Sequence, residues 1–204
     1  GVSAPPVDPV VTVWYRGTPA GTPRQEELAV IRALGFNSIT WPSAQASSLD
    51  KIKEMAASAG LRVLVADAPK PTTADTLLAG SERIDLVVTP QNAAALTPMA
   101  WRAVAHGTRI LGFDSGSPSG AGMENPDRSL KPWVTAAQGV ARQFSANNRL
   151  VQAFRAGPGL IMTPATVPGL AVVLLDADRS WVLIATNTSN AAVAATVRLP
   201  TGTP

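Results

Sequence analysis

The chain contains no cysteine, a single histidine and a single tyrosine among 204 residues. Without cysteine there is no disulfide, no thiolate nucleophile and no Cys-ligated zinc. The lone histidine, His106, has no cluster of acids beside it, so neither a metal nor a cofactor is expected. It ends a helical pattern next to Gly107, where the helix dipole is expected to favour its charged form in a structural role. Charged residues are scarce at 15%, and the net charge is only +3. The basic side chains Arg16, Arg24, Arg32, Arg62, Arg83 and Arg102 are scattered rather than clustered, which argues against nucleic acid as a partner. No apolar run approaches the ~18–20 residues of a membrane span. A G-x-S-x-G nucleophile elbow, a P-loop and a G-x-G-x-x-G fingerprint are missing as well.

What is present is apolar and ordered. Hydrophobic residues make up 46% of the chain, too many for a disordered segment. β-rich runs at 10–15 (VVTVWY), 36–41 (FNSITW), 61–66 (LRVLVA), 84–89 (IDLVVT) and 109–114 (RILGFD) alternate with helical patterns. Thr22 is placed to cap the first helix, with Pro23 at its first position and Gly35 as its stop. Further helices are expected at 49–59, capped by Ser47 or Ser48, at 73–79, at 97–106 and at 132–154. This alternation predicts βαβ units, right-handed crossovers and a parallel sheet covered on both faces. The Gly/Ser/Pro-rich stretch 115–130 reads as a flexible loop or lid. After Gly157-Pro158-Gly159 the helices stop, and short runs at 160–162, 171–175, 181–186 and 193–199 predict an antiparallel β meander. Asn187-Thr188-Ser189 matches a glycosylation sequon but is read as a turn. Two units follow: an α/β domain over 10–157 and a β segment over 158–204. The second is too small to stand alone and must pack on the first or on a partner.

Ligands of parallel α/β sheets bind at the carboxyl ends of the strands. That rule selects Asp67, Asp114 and Glu124 as candidate acids, since glycoside hydrolysis needs two carboxylates about 5–10 Å apart. Capping of loops or helices is the competing role for Asp67 and Asp114. Tyr15 and Trp41 are candidates for a sugar-stacking platform, against a competing role as core filler. Trp14 and Tyr15 are neighbours on one strand and cannot both face inward. Arg16, Gln91 and Asn92 complete the candidate substrate-binding set.

The stretch Ala100-Trp101-Arg102-Ala103-Val104-Ala105-His106-Gly107-Thr108-Arg109-Ile110-Leu111-Gly112-Phe113-Asp114 resembles the closing helix and strand of (β/α)₈-barrel glycoside hydrolases of the β-galactosidase-like kind. Phe36-Asn37-Ser38-Ile39-Thr40-Trp41-Pro42, following Leu34-Gly35, is similar to their early helix–strand unit. The segment 181–189 (WVLIATNTS) is similar to the β domain that follows their barrel. The resemblance implies a TIM-barrel-like fold, a carbohydrate partner and glycoside hydrolase ancestry. It also implies catalytic Glu residues after strands four and seven. Here Thr89-Pro90-Gln91-Asn92 follows strand four, and the strand for the second Glu is missing. A complete barrel takes eight strands and usually about 200–250 residues, whereas about five strands are readable here.

The expected fold is therefore α/β, an incomplete TIM-barrel-like parallel sheet followed by a small antiparallel β segment. The expected function is glycoside-hydrolase-like carbohydrate binding with weak or no hydrolysis. The alternatives are a non-catalytic assembly domain that pairs through a sheet edge or the β tail, as in a homo-oligomer, and an unrelated enzyme on a doubly wound sheet. The absence of cysteine and the loose start over 1–9 suit a bacterial secreted or periplasmic protein, with a cytoplasmic location also open.

Overall fold

A computed structural model describes residues 10–69, 82–89, 91, 93–147, 160–161, 167, 169–176, 181–187, 189 and 191–199. The parallel strands are β1 (Val10–Trp14), β2 (Ser38–Pro42), β3 (Arg62–Ala66), β4 (Arg83–Val87) and β5 (Ile110–Asp114). The helices are α1 (Gln25–Ala33), α2 (Leu49–Ser58), α3 (Leu96–Ala105) and α4 (Pro132–Ala146). Neither Thr22 nor Ser48 caps a helix through its side chain. α1 begins two residues after Pro23 with Arg24 flanking it, and no side-chain cap bond forms at either start. The expected helix over 73–79 lies outside the described residues, as do 148–154 of the last one.

The sheet order is β3-β2-β1-β5-β4, with every pairing parallel. The steps β1→β2, β2→β3 and β4→β5 all run in the same direction across the sheet. Right-handed crossovers taken in one direction put every helix on the same face. The packing agrees, because Val11, Val13, Tyr15, Ile39, Trp41, Ile84, Leu86, Leu111 and Phe113 share one core with buried residues of all four helices. The expected cover on both faces is present as burial, with the described helices on one of them. The alternate strand positions Thr12, Trp14, Ser38, Thr40, Asp85 and Asp114 are also buried, but they form a second, mostly polar surface. In a doubly wound sheet β4 would lie beside β1 with β5 beyond it; here β5 lies beside β1 and β4 is at the edge. Read around a circle, the order is 1-2-3-4-5 with β5 hydrogen-bonded to β1 and an opening between β3 and β4. It is an incomplete TIM-barrel-like sheet.

A second sheet of three antiparallel strands, in the order β6-β7-β8, consists of β6 (Leu160–Ile161), β7 (Leu170–Asp176) and β8 (Trp181–Asn187). β7 and β8 rest on α3, and Val173, Val182 and Ile184 join the main core. Residues 193–199, expected as a further strand, form no ladder in the described structure. The α3–α4 pair beneath is locked by Trp101, whose ring meets Phe144 edge-on at 4.6 Å and whose indole N–H donates to Gln143 Oε1 at 2.6 Å.

His106 follows α3 and is only 7% exposed, with no hydrogen-bond partner for its Nε2 among the described residues. Burial, and then the charge of Arg102 one turn earlier, lower its pKa from 6.5. Desolvation outweighs the helix dipole, so the native state favours the neutral ring, contrary to the sequence expectation. A folded pKa below the unfolded one gives stability that is fully present above about pH 6.5 and is lost as pH falls through the lowered value. Urea midpoints measured from pH 7.5 to pH 5 are expected to fall. In a His106→Leu variant the part of that fall due to this ring disappears; an unchanged pH profile in the variant would exclude the assignment.

Candidate functional site

The carboxyl ends of β1 and β5 lie side by side, and the loops that follow them meet. Arg16 N–H donates to Gly120 O at 3.0 Å, and Gly120 N–H donates to Gly17 O. Gly17 has φ +68°, and a Cβ there would sit 2.5 Å from Thr22 O, so only glycine fits this crossing. Within the β5–α4 loop, Ser115 Oγ donates to Ala121 O at 3.0 Å and Ser117 Oγ donates to Ser119 O at 2.8 Å. Lys131 N–H donates to Met123 O at 2.8 Å, and Ala121 and Met123 are buried. The loop read as a flexible lid is instead tied to the end of β1 and to itself. Its small residues serve tight turns and close contacts.

Between these loops and α1 lies a cleft of about 670 Å³. Three carboxylates line it, Glu26, Glu27 and Glu124, together with the cations Arg24, Arg128 and Lys131. Ser117 and Ser119 add loop edges rich in hydrogen-bonding groups. Glu27 is already engaged. It accepts the Tyr15 hydroxyl at 2.6 Å, while that hydroxyl accepts Arg24 N–H at 2.8 Å. Burial first, and then the Glu27 hydrogen bond, push the Tyr15 phenol above its ordinary pKa, so it remains a proton donor. Glu26 and Glu124 are exposed and available to a ligand.

The sequence-selected residues fall into separate environments. Asp114 is buried, accepts Arg16 Nη1 at 2.8 Å and accepts Gly116 N–H at 3.1 Å. Asp67 is exposed just beyond β3 and accepts the Ser43 hydroxyl at 2.6 Å. β2 and β1 lie between β3 and β5 in the sheet, and the two acids are engaged with different partners. Of the three acids, Glu124 is the one that lines the cleft. Tyr15 and Trp41 do come together, at 5.9 Å and 44° between ring planes. Both are fully buried on the helix side of the sheet, which leaves no face for a sugar to stack on; Trp41 instead donates its indole N–H to Gln45 O at 3.1 Å. Gln91 is exposed beyond β4, and Asn92 lies outside the described residues.

The polar surface of the sheet holds a constellation that strand-end reasoning missed. Trp14 donates its indole N–H to Asp85 Oδ1 at 2.9 Å. Arg83 pairs with Asp85 at 2.8 Å and donates to Thr40 Oγ1 at 3.0 Å, and Thr40 shares a hydrogen bond with Thr12 at 2.9 Å. The Arg83 and Arg16 guanidinium carbons lie 5.4 and 5.5 Å from the Trp14 ring centre, within cation–π range. The acid Asp85 in mid-strand and Gly112 opposite it in the register were the available signals. Among the described residues no group of three or more His, Asp or Glu is placed to hold a metal ion, and no helix is long and apolar enough to cross a membrane.

Comparison of the chain with protein-family models, curated proteins and solved structures finds no match.

Proposed function

We propose that the chain binds carbohydrate in the cleft at the carboxyl ends of β1 and β5, with weak or no hydrolysis. One observation carries the proposal. The cleft sits where parallel barrel-like sheets bind ligands, and its size and mixed lining of carboxylates, cations and loop groups suit a ligand dense in hydroxyls. Sugar hydroxyls both donate and accept, so they can be met by the carboxylates Glu124 and Glu26 and by the cations Arg128 and Lys131 of the same lining. The same geometry argues against turnover. Asp114 is committed to Arg16 and Glu27 to Tyr15, which leaves exposed acids better suited to holding hydroxyls than to a paired acid–base role.

Titration calorimetry against a panel of neutral and acidic oligosaccharides tests this. The native chain is expected to bind at least one class. Glu124→Ala should weaken that binding about tenfold or more, the worth of one charge-assisted hydrogen bond at ~1.5–3 kcal/mol. Reducing-sugar release should stay at background. A panel with no binding, or a Glu124→Ala variant that binds as well as the native chain, would remove the proposal.

A further inference from the structure

β8 is an edge strand. It pairs with β7 on one side, and no described residue pairs with it on the other. Natural edges are blunted with lysine, proline, bulges or a covering segment. The seven residues of β8, WVLIATN, carry no charge and no proline, and Leu183 on it is 48% exposed. A groove of about 510 Å³ runs along this edge, walled on the other side by Thr97, Pro98 and Trp101 of α3. Thr186 lines the groove, and its buried Oγ1 has no hydrogen-bond partner among the described residues.

The same molecule carries a segment with the matching pattern. Val193, Ala195, Val197 and Leu199 alternate with Ala194, Thr196 and Arg198, a half-buried strand signature. Yet 193–199 make no ladder in this structure, and Leu199 is 51% exposed. An edge without a partner strand and a strand pattern without a ladder, both among the described residues, are the two halves of a reciprocal exchange, which closes with two-fold symmetry.

We propose that β8 and its groove are a self-association surface, which takes residues 193–199 of a second copy as a fourth, antiparallel strand. Sheet pairing is set by which side chains face the core. Val182 and Ile184 pack on the core and Thr186 is buried, so these positions face inward. Opposing them with Val197, Ala195 and Val193 sends the apolar side of the incoming strand into the groove against α3. Thr196 then lies across from exposed Leu183, and Arg198 points to solvent. Backbone bonds to the free edge supply the affinity, and the alternating pockets set the register. This interface is independent of carbohydrate binding at the cleft.

The absence of cysteine makes the test direct. In a Leu183→Cys/Thr196→Cys variant, mild oxidation is expected to give a disulfide-linked dimer on a non-reducing gel. The native chain should show a concentration-dependent dimer in sedimentation equilibrium. Val197→Asp, at a half-buried position outside the core formed by the described residues, should weaken that dimer about tenfold or more by burying an unpaired charge. A native chain that stays monomeric across its accessible concentration range would overturn the proposal. So would a double-cysteine variant that closes only within one chain.

Discussion

Replacing Asp85 with alanine should cost the fold about 3–5 kcal/mol, the usual consequence of removing one partner from a buried ion pair. Asp85 is 4% exposed and sits in the middle of β4. It accepts from Arg83 through both oxygens, at 2.8–3.2 Å, and from the Trp14 indole at 2.9 Å. Its loss leaves the Trp14 N–H without that acceptor, and Trp14 is itself 1% exposed. It also leaves the Arg83 charge, whose side chain is 22% exposed, held over an indole ring and one threonine hydroxyl. The cation–π contact offsets only about 1–2 kcal/mol of that. Asp85→Asn separates the two losses, because the amide oxygen can still accept from Trp14 while the charge balance is gone. It should fall between the native chain and Asp85→Ala in a urea titration. A loss below about 1 kcal/mol for Asp85→Ala would mean that Arg83 finds water easily, and that the polar surface of the sheet is wetter than its burial implies.

Much of the fold was legible because it rests on short-range chemistry. Five β-rich runs separated by helical stripes and ended by Gly35, Gly60 and Gly107 are enough to place five parallel strands and the helices between them. Strand order was not legible, since pairing β1 with β5 depends on contacts about a hundred residues apart, such as Val13 with Phe113. Both faces of the sheet are covered, as the apolar runs suggest, but the second is lined by Thr12, Ser38 and Thr40, and the hydrogen bond that joins Thr12 to Thr40 shows only in three dimensions. Tyr15 and Trp41 illustrate the limit at the site. Their strand-end positions suit a binding platform equally well on either face, and the strand's alternation turns both towards the helices. The cleft was partly legible through Glu124. Arg128, Lys131 and Glu26 were not, because they come from loop and helix positions brought together by the Arg16–Gly120–Gly17 crossing. His106 was placed correctly at its helix end but assigned the wrong charge state, as its burial comes from tertiary packing.

Gly112→Ala should destabilise the chain by about 2–4 kcal/mol, even though alanine is intrinsically the better strand residue. Gly112 pairs with Asp85 across the β4–β5 ladder. A Cβ at 112 would fall on Asp85 Oδ1, with Asp85 Cγ at 3.2 Å and Arg83 Nη2 at 3.5 Å. The obstacle is not a loose side-chain end. That oxygen is held by both Arg83 and Trp14, so the methyl must push a carboxylate away from the buried indole and from its ion-pair partner. The cost is therefore overpacking plus part of the network, which is why it exceeds an ordinary methyl insertion. The cause can be isolated with a double-mutant cycle. In Asp85→Ala the space beside residue 112 is already empty, and the donors are already abandoned. Adding Gly112→Ala to that background should cost close to nothing, leaving a coupling of about 2–4 kcal/mol between the two sites. If instead the two losses add, the Gly112 effect comes from backbone conformation. In that case the missing side chain in β5 is not what makes room for the Arg83–Asp85–Trp14 cluster.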